Sequence, residues 1–127
     1  MVTPRSFRDE ETPDDGVVVV RGGLHSLATE KVRELCEESL ADSGFYGLSV
    51  FAALDSDVPD LCRSVPRLRT PGTIWVATCG ELRQRGFRFL ATDARPHFDI
   101  VLADVAPGTI ESLVTCFTSM SNPAKQR

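Results

Sequence analysis

Four polar residues fall on predicted strands or at the end of one, where their side chains could act on a ligand. Arg21 ends the first β-branched run, Ser49 interrupts a later apolar run, and His97 and Asp99 occupy alternate positions of a third run. Alternate residues of a strand point to the same face. A guanidinium binds phosphate or carboxylate, and a histidine beside an aspartate can transfer protons near neutral pH. The four residues therefore predict a cleft for an anionic, nucleotide-like ligand.

Two further residues are expected to contact that ligand. Gly22 follows Arg21, and a residue without a Cβ atom lets the backbone approach a ligand closely. Tyr46 is the only tyrosine and precedes Ser49 on the same predicted strand. The sequence also leaves a structural interpretation open for three of these residues. Arg21 would then be a solvent-facing charge, Ser49 a core serine with a satisfied hydroxyl, and His97 a histidine bonded to a local backbone group.

Residues 17–53 carry motifs in a recognisable order. A basic residue followed by glycine ends the first strand, a helix follows, and the second strand contains a G-x-x-x-F-A pattern. In this order the segment resembles the ADP-ribosyltransferase superfamily. The resemblance implies a NAD-binding cleft in which Arg21 holds the ribose of the nicotinamide end and Ser49, with Tyr46 nearby, supports the nicotinamide. It also implies that Asp99, where the family usually has glutamate, orients the ribose and stabilises an oxocarbenium-like transition state.

The resemblance implies a small cytoplasmic, bacterial-type transferase that uses NAD, and such a domain is expected to be the toxin of a toxin–antitoxin pair. Its antitoxin would cover the basic half of the chain. A first alternative is a ribonuclease toxin in which His97 moves the proton and arginines neutralise the phosphodiester. A second alternative is a non-catalytic interaction module whose acidic residues 9–15 engage a basic protein partner.

Composition limits the other classes of function. The chain has 127 residues, 42% hydrophobic and 25% charged, which is typical of one soluble domain. No apolar run approaches the roughly 20 residues that span a bilayer, and the acidic N-terminus does not resemble a signal peptide. The four cysteines have no C-x-x-C spacing and there are only two histidines, so no metal site is expected and the cysteines are predicted to be buried.

Charge is divided unevenly along the chain. Residues 1–60 carry 13 acids against five bases, whereas residues 61–127 carry five acids against nine bases. The net charge of −4 makes tight binding to duplex DNA unfavourable, because such affinity comes from phosphate neutralisation. The arginines of the second half, if clustered, would form an anion-binding surface. They are Arg63, Arg67, Arg69, Arg83, Arg85, Arg88 and Arg95.

Hydrophobic periodicity and turn residues predict a single α+β domain. We expect a flexible acidic arm at 1–16, a globular domain at 17–120 and a polar tail at 121–127. The domain should hold a mixed sheet of about five strands with three to four helices. The first predicted elements are a strand at 17–20, a helix capped by Ser26 and ended by Gly44, a strand at 47–54 and a short helix curtailed by Pro66. They are followed by a strand at 73–77, a helix with a Thr78–Glu81 capping box closed by Gly86, a hairpin with its loop at 93–96, and a last helix from Pro107 to Phe117.

Overall fold

A computed structural model describes residues 13–54 and 56–125. The described chain forms one sheet of six strands in the spatial order β4-β5-β2-β1-β3-β6, with helices packed against it. The elements are β1 (Val18–Gly22), α1 (Thr29–Ser43), β2 (Tyr46–Ala52), α2 (Val58–Ser64), α3 (Pro66–Arg69), β3 (Thr73–Thr78), α4 (Cys79–Gln84), β4 (Arg88–Ala91), β5 (His97–Leu102), α5 (Pro107–Val114), β6 (Thr118–Ser121) and a short 3₁₀ helix (Pro123–Lys125).

The α+β class predicted from the sequence is confirmed, but two details of the sheet differ. The sheet has six strands rather than five, and every strand pair is antiparallel, so it is not a mixed sheet. The extra strand is β6, which pairs with β3 along the edge of the sheet. The last helix also ends earlier than predicted, at Val114, which leaves the chain free to return to the sheet.

Local sequence signals fix several element boundaries. Thr78 accepts a hydrogen bond from the Glu81 amide at 3.3 Å, as the capping box predicts. Gly44 ends α1 in the left-handed conformation, with φ of 85°, and its amide donates to the Leu40 carbonyl. Ser26 does not cap α1, because the helix begins three residues later and has Ala28 at its N-cap position.

The two faces of the sheet are covered by different helices. The main core lies on the face that carries Leu48, Val50 and Ile100, and buried residues of α1, α4 and α5 pack into it. A smaller core lies on the other face, where Leu61 and Leu68, from α2 and α3, pack with residues of β1 and β3. All four cysteines are buried and free, as predicted.

Both ends of the described chain are tied to the domain. Arg83 of α4 donates to the Pro13 carbonyl and pairs with Asp15 at 2.7 Å, although both positions belong to the predicted acidic arm. Asn122, in the predicted polar tail, is 1% exposed, and its side-chain amide donates to the carbonyls of Leu68 and Pro71. Residues 1–12 lie outside the described chain. Within the described residues, no helix combines the length and apolar character needed to cross a bilayer.

Candidate functional site

Strand β1 leaves its neighbour β2 soon after the two strands have paired. The β1–β2 register contains two residue pairs, Val19 with Ala52 and Val20 with Phe51. On its other side, β1 keeps five pairs with β3 and remains bonded as far as Gly22. On the side that faces β1, the first residues of β2 therefore lie beside a gap in the sheet, whereas on the other side they pair with β5.

Arg21 fills part of this gap. Its Nη1 donates to the Ser49 carbonyl of β2 at 2.9 Å, and its Nε donates to the Ser26 carbonyl of the loop after β1 at 3.3 Å. The guanidinium thus takes the place that a backbone amide of β1 would occupy in a continued ladder. On the opposite side of the loop, the Trp75 indole donates to the Gly23 carbonyl at 3.0 Å. The loop is held from both sides while the gap stays open.

A cavity of about 350 Å³ lies at this opening, and we call it the gap cavity. Its walls come from the end of β1, the first half of β2, the second half of α1, residue 67 of α3 and two residues of β5. All four residues predicted as catalytic line it, namely Arg21, Ser49, His97 and Asp99. Residues separated by up to 78 positions in the sequence are thus brought to one concave surface.

Strand register explains why Ser49, His97 and Asp99 meet. Ser49 pairs with Asp99 and Phe51 pairs with His97, so these side chains share the face opposite Leu48 and Val50. The Ser49 hydroxyl donates to Asp99 Oδ1 at 3.3 Å, which links the two strands across the floor of the cavity. Asp99 itself is 5% exposed.

The gap cavity holds charges of both signs. Burial lowers the pKa of the Arg21 guanidinium below its ordinary value; the nearby charge of Arg67 acts in the same direction, while that of Asp99 opposes it. Glu38 and Asp42 of α1 line the same cavity. The surface can therefore receive phosphate at the arginines and hydroxyl groups at the carboxylates.

His97 is held by Thr92, which is itself buried. The His97 Nδ1 atom lies 3.0 Å from the Thr92 carbonyl oxygen and 2.9 Å from the Thr92 hydroxyl. Because a carbonyl oxygen can only accept, this contact is a hydrogen bond when Nδ1 carries the proton, and Nε2 is then the acceptor of the neutral ring. His97 thus bonds to a local backbone group through its Nδ1 atom, while its ring also lines the gap cavity.

Two predicted ligand contacts lie outside the gap cavity. Tyr46 belongs to β2 but packs against the main core on the other face, three positions from Ser49 and hence of opposite orientation. Gly22 faces α3 and the following turn, where an added Cβ would lie 2.9 Å from Pro71 Cγ and 3.4 Å from Leu68 Cδ2. Its lack of a side chain therefore serves packing between β1 and α3.

The predicted arginine cluster is dispersed. Arg63 pairs with Asp60, Arg83 with Asp15 and Arg85 with Glu81. Of these seven arginines, Arg67 lines the gap cavity, and nothing in the sequence distinguishes it from the other six. Pro66 predicts locally that the next residue lies in the first turn of a helix, but only the packing of α3 beside β1 brings Arg67 to the cavity.

The described residues thus define an α+β domain with an antiparallel six-stranded sheet and a mixed-charge cavity where two strands diverge. No three or more His, Cys, Asp or Glu side chains among them form a group that could hold a metal ion. Comparisons with protein-family models, with curated proteins and with solved structures found no match.

Proposed function

We propose that this protein binds a nucleotide-like anionic ligand in the gap cavity and that NAD is its substrate for ADP-ribosyl transfer. The observation that carries the proposal is the convergence of Arg21, Ser49 and Asp99 on one cavity that the sheet opens between β1 and β2. A cavity of about 350 Å³ is within the range of small-molecule sites, which are typically about 300–1,000 Å³.

The charges of the cavity suit the parts of a ribose phosphate. Arg21 has a planar fork of five N–H donors, of which two are used on backbone carbonyls, so the guanidinium is fixed before a phosphate arrives. Asp99 is oriented by the Ser49 hydroxyl and can accept from a ribose hydroxyl. A carboxylate beside the ribose would also stabilise positive charge that develops at C1′ during cleavage.

The proposed reaction breaks the bond between ribose C1′ and the nicotinamide nitrogen, and the electron pair of that bond leaves with nicotinamide. A nucleophile of the acceptor forms the new bond to C1′, and its proton passes to the Nε2 lone pair of His97. Asp99 stabilises the cationic ribose in the transition state, and Arg21 holds the phosphate end in place. If water is the acceptor, the products are ADP-ribose and nicotinamide.

The test measures NAD binding by isothermal titration calorimetry and nicotinamide release by chromatography. We expect wild-type protein to bind NAD, Arg21→Ala to lose at least about tenfold in affinity, and Asp99→Asn to keep binding while losing release of nicotinamide. Arg88→Ala is the matched control, because Arg88 is exposed on β4 and lines no cavity described here. A wild-type protein that neither binds nor cleaves millimolar NAD would end the proposal.

The ribonuclease alternative has one observation in its favour. His97 also lines a second cavity, together with Arg67 and Arg95, and this pairing of imidazole with guanidinium suits a phosphodiester. Incubation with total RNA decides the matter. Cleavage that His97→Ala abolishes would support the alternative, and intact RNA would leave the NAD proposal as the sole enzymatic one.

A further inference from the structure

A second cavity lies against the loop of the β4–β5 hairpin, and we call it the hairpin cavity. Its volume is about 410 Å³. One side is formed by residues 64–67 of α2 and α3, the other by residues 93–97 of the hairpin, and Phe51 of β2 lies between them. Phe51 stacks edge-on against the His97 ring, with centroids 5.2 Å apart. The walls thus combine an aromatic ring and two prolines with charged side chains.

The two cavities share a boundary. Arg67 and His97 each line both of them, so the cavities adjoin along these two side chains. No hydrogen bond or ion pair links Arg67 to another described residue, and its side chain is on an exposed part of α3. Its charge lies close enough to Arg21 to disfavour the protonated form of that buried guanidinium. Arg67 at the boundary and Arg21 in the adjoining gap cavity are thus two neighbouring cations that favour an anion between them.

We infer that NAD spans the gap cavity and the hairpin cavity, with one end in each, and that Arg67 binds the phosphates that join the ends. This inference rests on the proposed function, since it assigns the nicotinamide riboside end to the gap cavity. The other base then lies in the hairpin cavity against Phe51, because an aromatic and proline wall accepts a flat ring.

The size and chemistry of the two cavities favour a ligand with two ends. Each cavity alone is near the lower limit of a small-molecule site, which is about 300 Å³. The gap cavity is lined mainly by charged and hydroxyl side chains, as a ribose requires, and the hairpin cavity offers apolar walls, as a base requires. The shared boundary has the cation that a diphosphate bridge requires.

The experiment measures, by calorimetry on the full chain, the affinities for nicotinamide riboside, nicotinamide mononucleotide and NAD. The three probes extend step by step from the gap cavity to Arg67 and then into the hairpin cavity. We expect each step to improve the affinity, the last by about tenfold or more. Arg67→Ala should weaken the mononucleotide and NAD by about 10- to 100-fold and leave the riboside unchanged. Arg69→Ala, an exposed arginine of the same helix that lines neither cavity, is the control.

A second variant tests the hairpin cavity by itself. Ser64 and Ala94 are exposed on its opposite walls, so a Ser64→Leu, Ala94→Leu double variant fills space without changing charge. It should weaken NAD to the level of the mononucleotide and leave the mononucleotide unchanged, whereas Ser119→Leu on β6 should change neither.

The outcomes separate this inference from the proposed function. If wild-type protein binds the mononucleotide and NAD equally well, or if the double variant binds NAD as wild type does, the dinucleotide inference is wrong and the gap cavity remains a mononucleotide site. If Arg67→Ala leaves all three affinities unchanged, its role at the phosphates is wrong. If none of the probes binds, the proposed function fails as well.

Discussion

The two sides of strand β1 behave in opposite ways. Towards β3, five residue pairs close the sheet as far as Gly22, and side chains of α3 and the following turn pack directly onto that glycine. Towards β2, strand pairing stops after Val20. Beyond that point the Arg21 guanidinium, instead of the β1 backbone, donates to β2, and the gap cavity lies beside it. One strand thus has a closed side, which carries stability, and an open side, which carries the candidate site.

The difference shows how a side chain can give a partner to a carbonyl that the opening of a sheet leaves without one. A carbonyl that lacks a strand partner costs about 1–3 kcal/mol when it is buried. Ser49 avoids that cost because the Arg21 side chain donates to its carbonyl from the end of the neighbouring strand. The same guanidinium also presents a cation to the cavity, so the residue that completes the sheet is the residue that we propose binds ligand.

The largest expected effect lies on the closed side. Asn122→Ala should lower the free energy of unfolding by about 2–4 kcal/mol, because the Leu68 and Pro71 carbonyls both lose their side-chain donor in a buried position. Urea denaturation followed by circular dichroism measures this change. NAD affinity should stay unchanged after correction for the fraction folded, since Asn122 lines neither cavity.

Ser119→Ala is the control for that variant, because Ser119 is exposed on β6, the edge strand that ends just before Asn122. Its unfolding free energy should stay within about 0.5 kcal/mol of wild type. An Asn122→Ala protein as stable as Ser119→Ala would show that the closed side does not depend on this contact.

The next effect concerns the glycine at the end of β1. Gly22→Ala should destabilise the fold by about 1–3 kcal/mol, because the new Cβ would lie 2.9 Å from the Pro71 ring. Gly72→Ala is the matched control, since a Cβ there meets no atom within 4 Å. Equal stability of the two variants would mean that α3 and its turn can move away from β1 at little cost.

The smallest expected effect is in the chemistry of the buried thiols. Burial in the main core raises the pKa of Cys36, on α1, to about 11, and that of Cys79, on α4, to about 12, against 9.0 for an ordinary thiol. The pKa of the Cys36 thiol is higher in the folded state than in the unfolded state. The contribution of this thiol to the free energy of unfolding is therefore complete below about pH 9 and is lost as the pH rises towards 11. At pH 8, a disulfide reagent should label native protein slowly and protein in guanidinium chloride rapidly. Rapid labelling of the native state would contradict the burial.

Signals that act over a few residues predicted much of the fold. The Thr78–Glu81 cap, the left-handed Gly44 and the β4–β5 hairpin all depend on neighbours in sequence, and each is present. Of the site, the sequence predicted Arg21, Ser49, His97 and Asp99 as one set, and the structure places these four around one cavity. Tyr46, predicted with them, packs against the main core and does not line the cavity.

The parts that sequence reasoning missed depend on distant partners. The polar segment Thr118–Ser121 has little strand propensity of its own, and it forms β6 only because β3 offers an unpaired edge. The sequence places Asn122 in the predicted polar tail, and its buried position depends on hydrogen bonds to the distant Leu68 and Pro71 carbonyls. Arg67 was one of seven similar arginines, and only the packing of α3 against β1 brings it to the cavity boundary.

We propose that NAD binds at the opening between β1 and β2. Nuclear magnetic resonance of ¹⁵N-labelled protein, titrated with NAD, tests it most directly, with Arg21→Ala as the comparison. We predict that the largest shifts fall on the amides of residues 47–49 and 97–99, that those of β3 and β6 stay in place, and that Arg21→Ala removes the response. Shifts confined to β3 and β6, or a spectrum unchanged by millimolar NAD, would contradict the account.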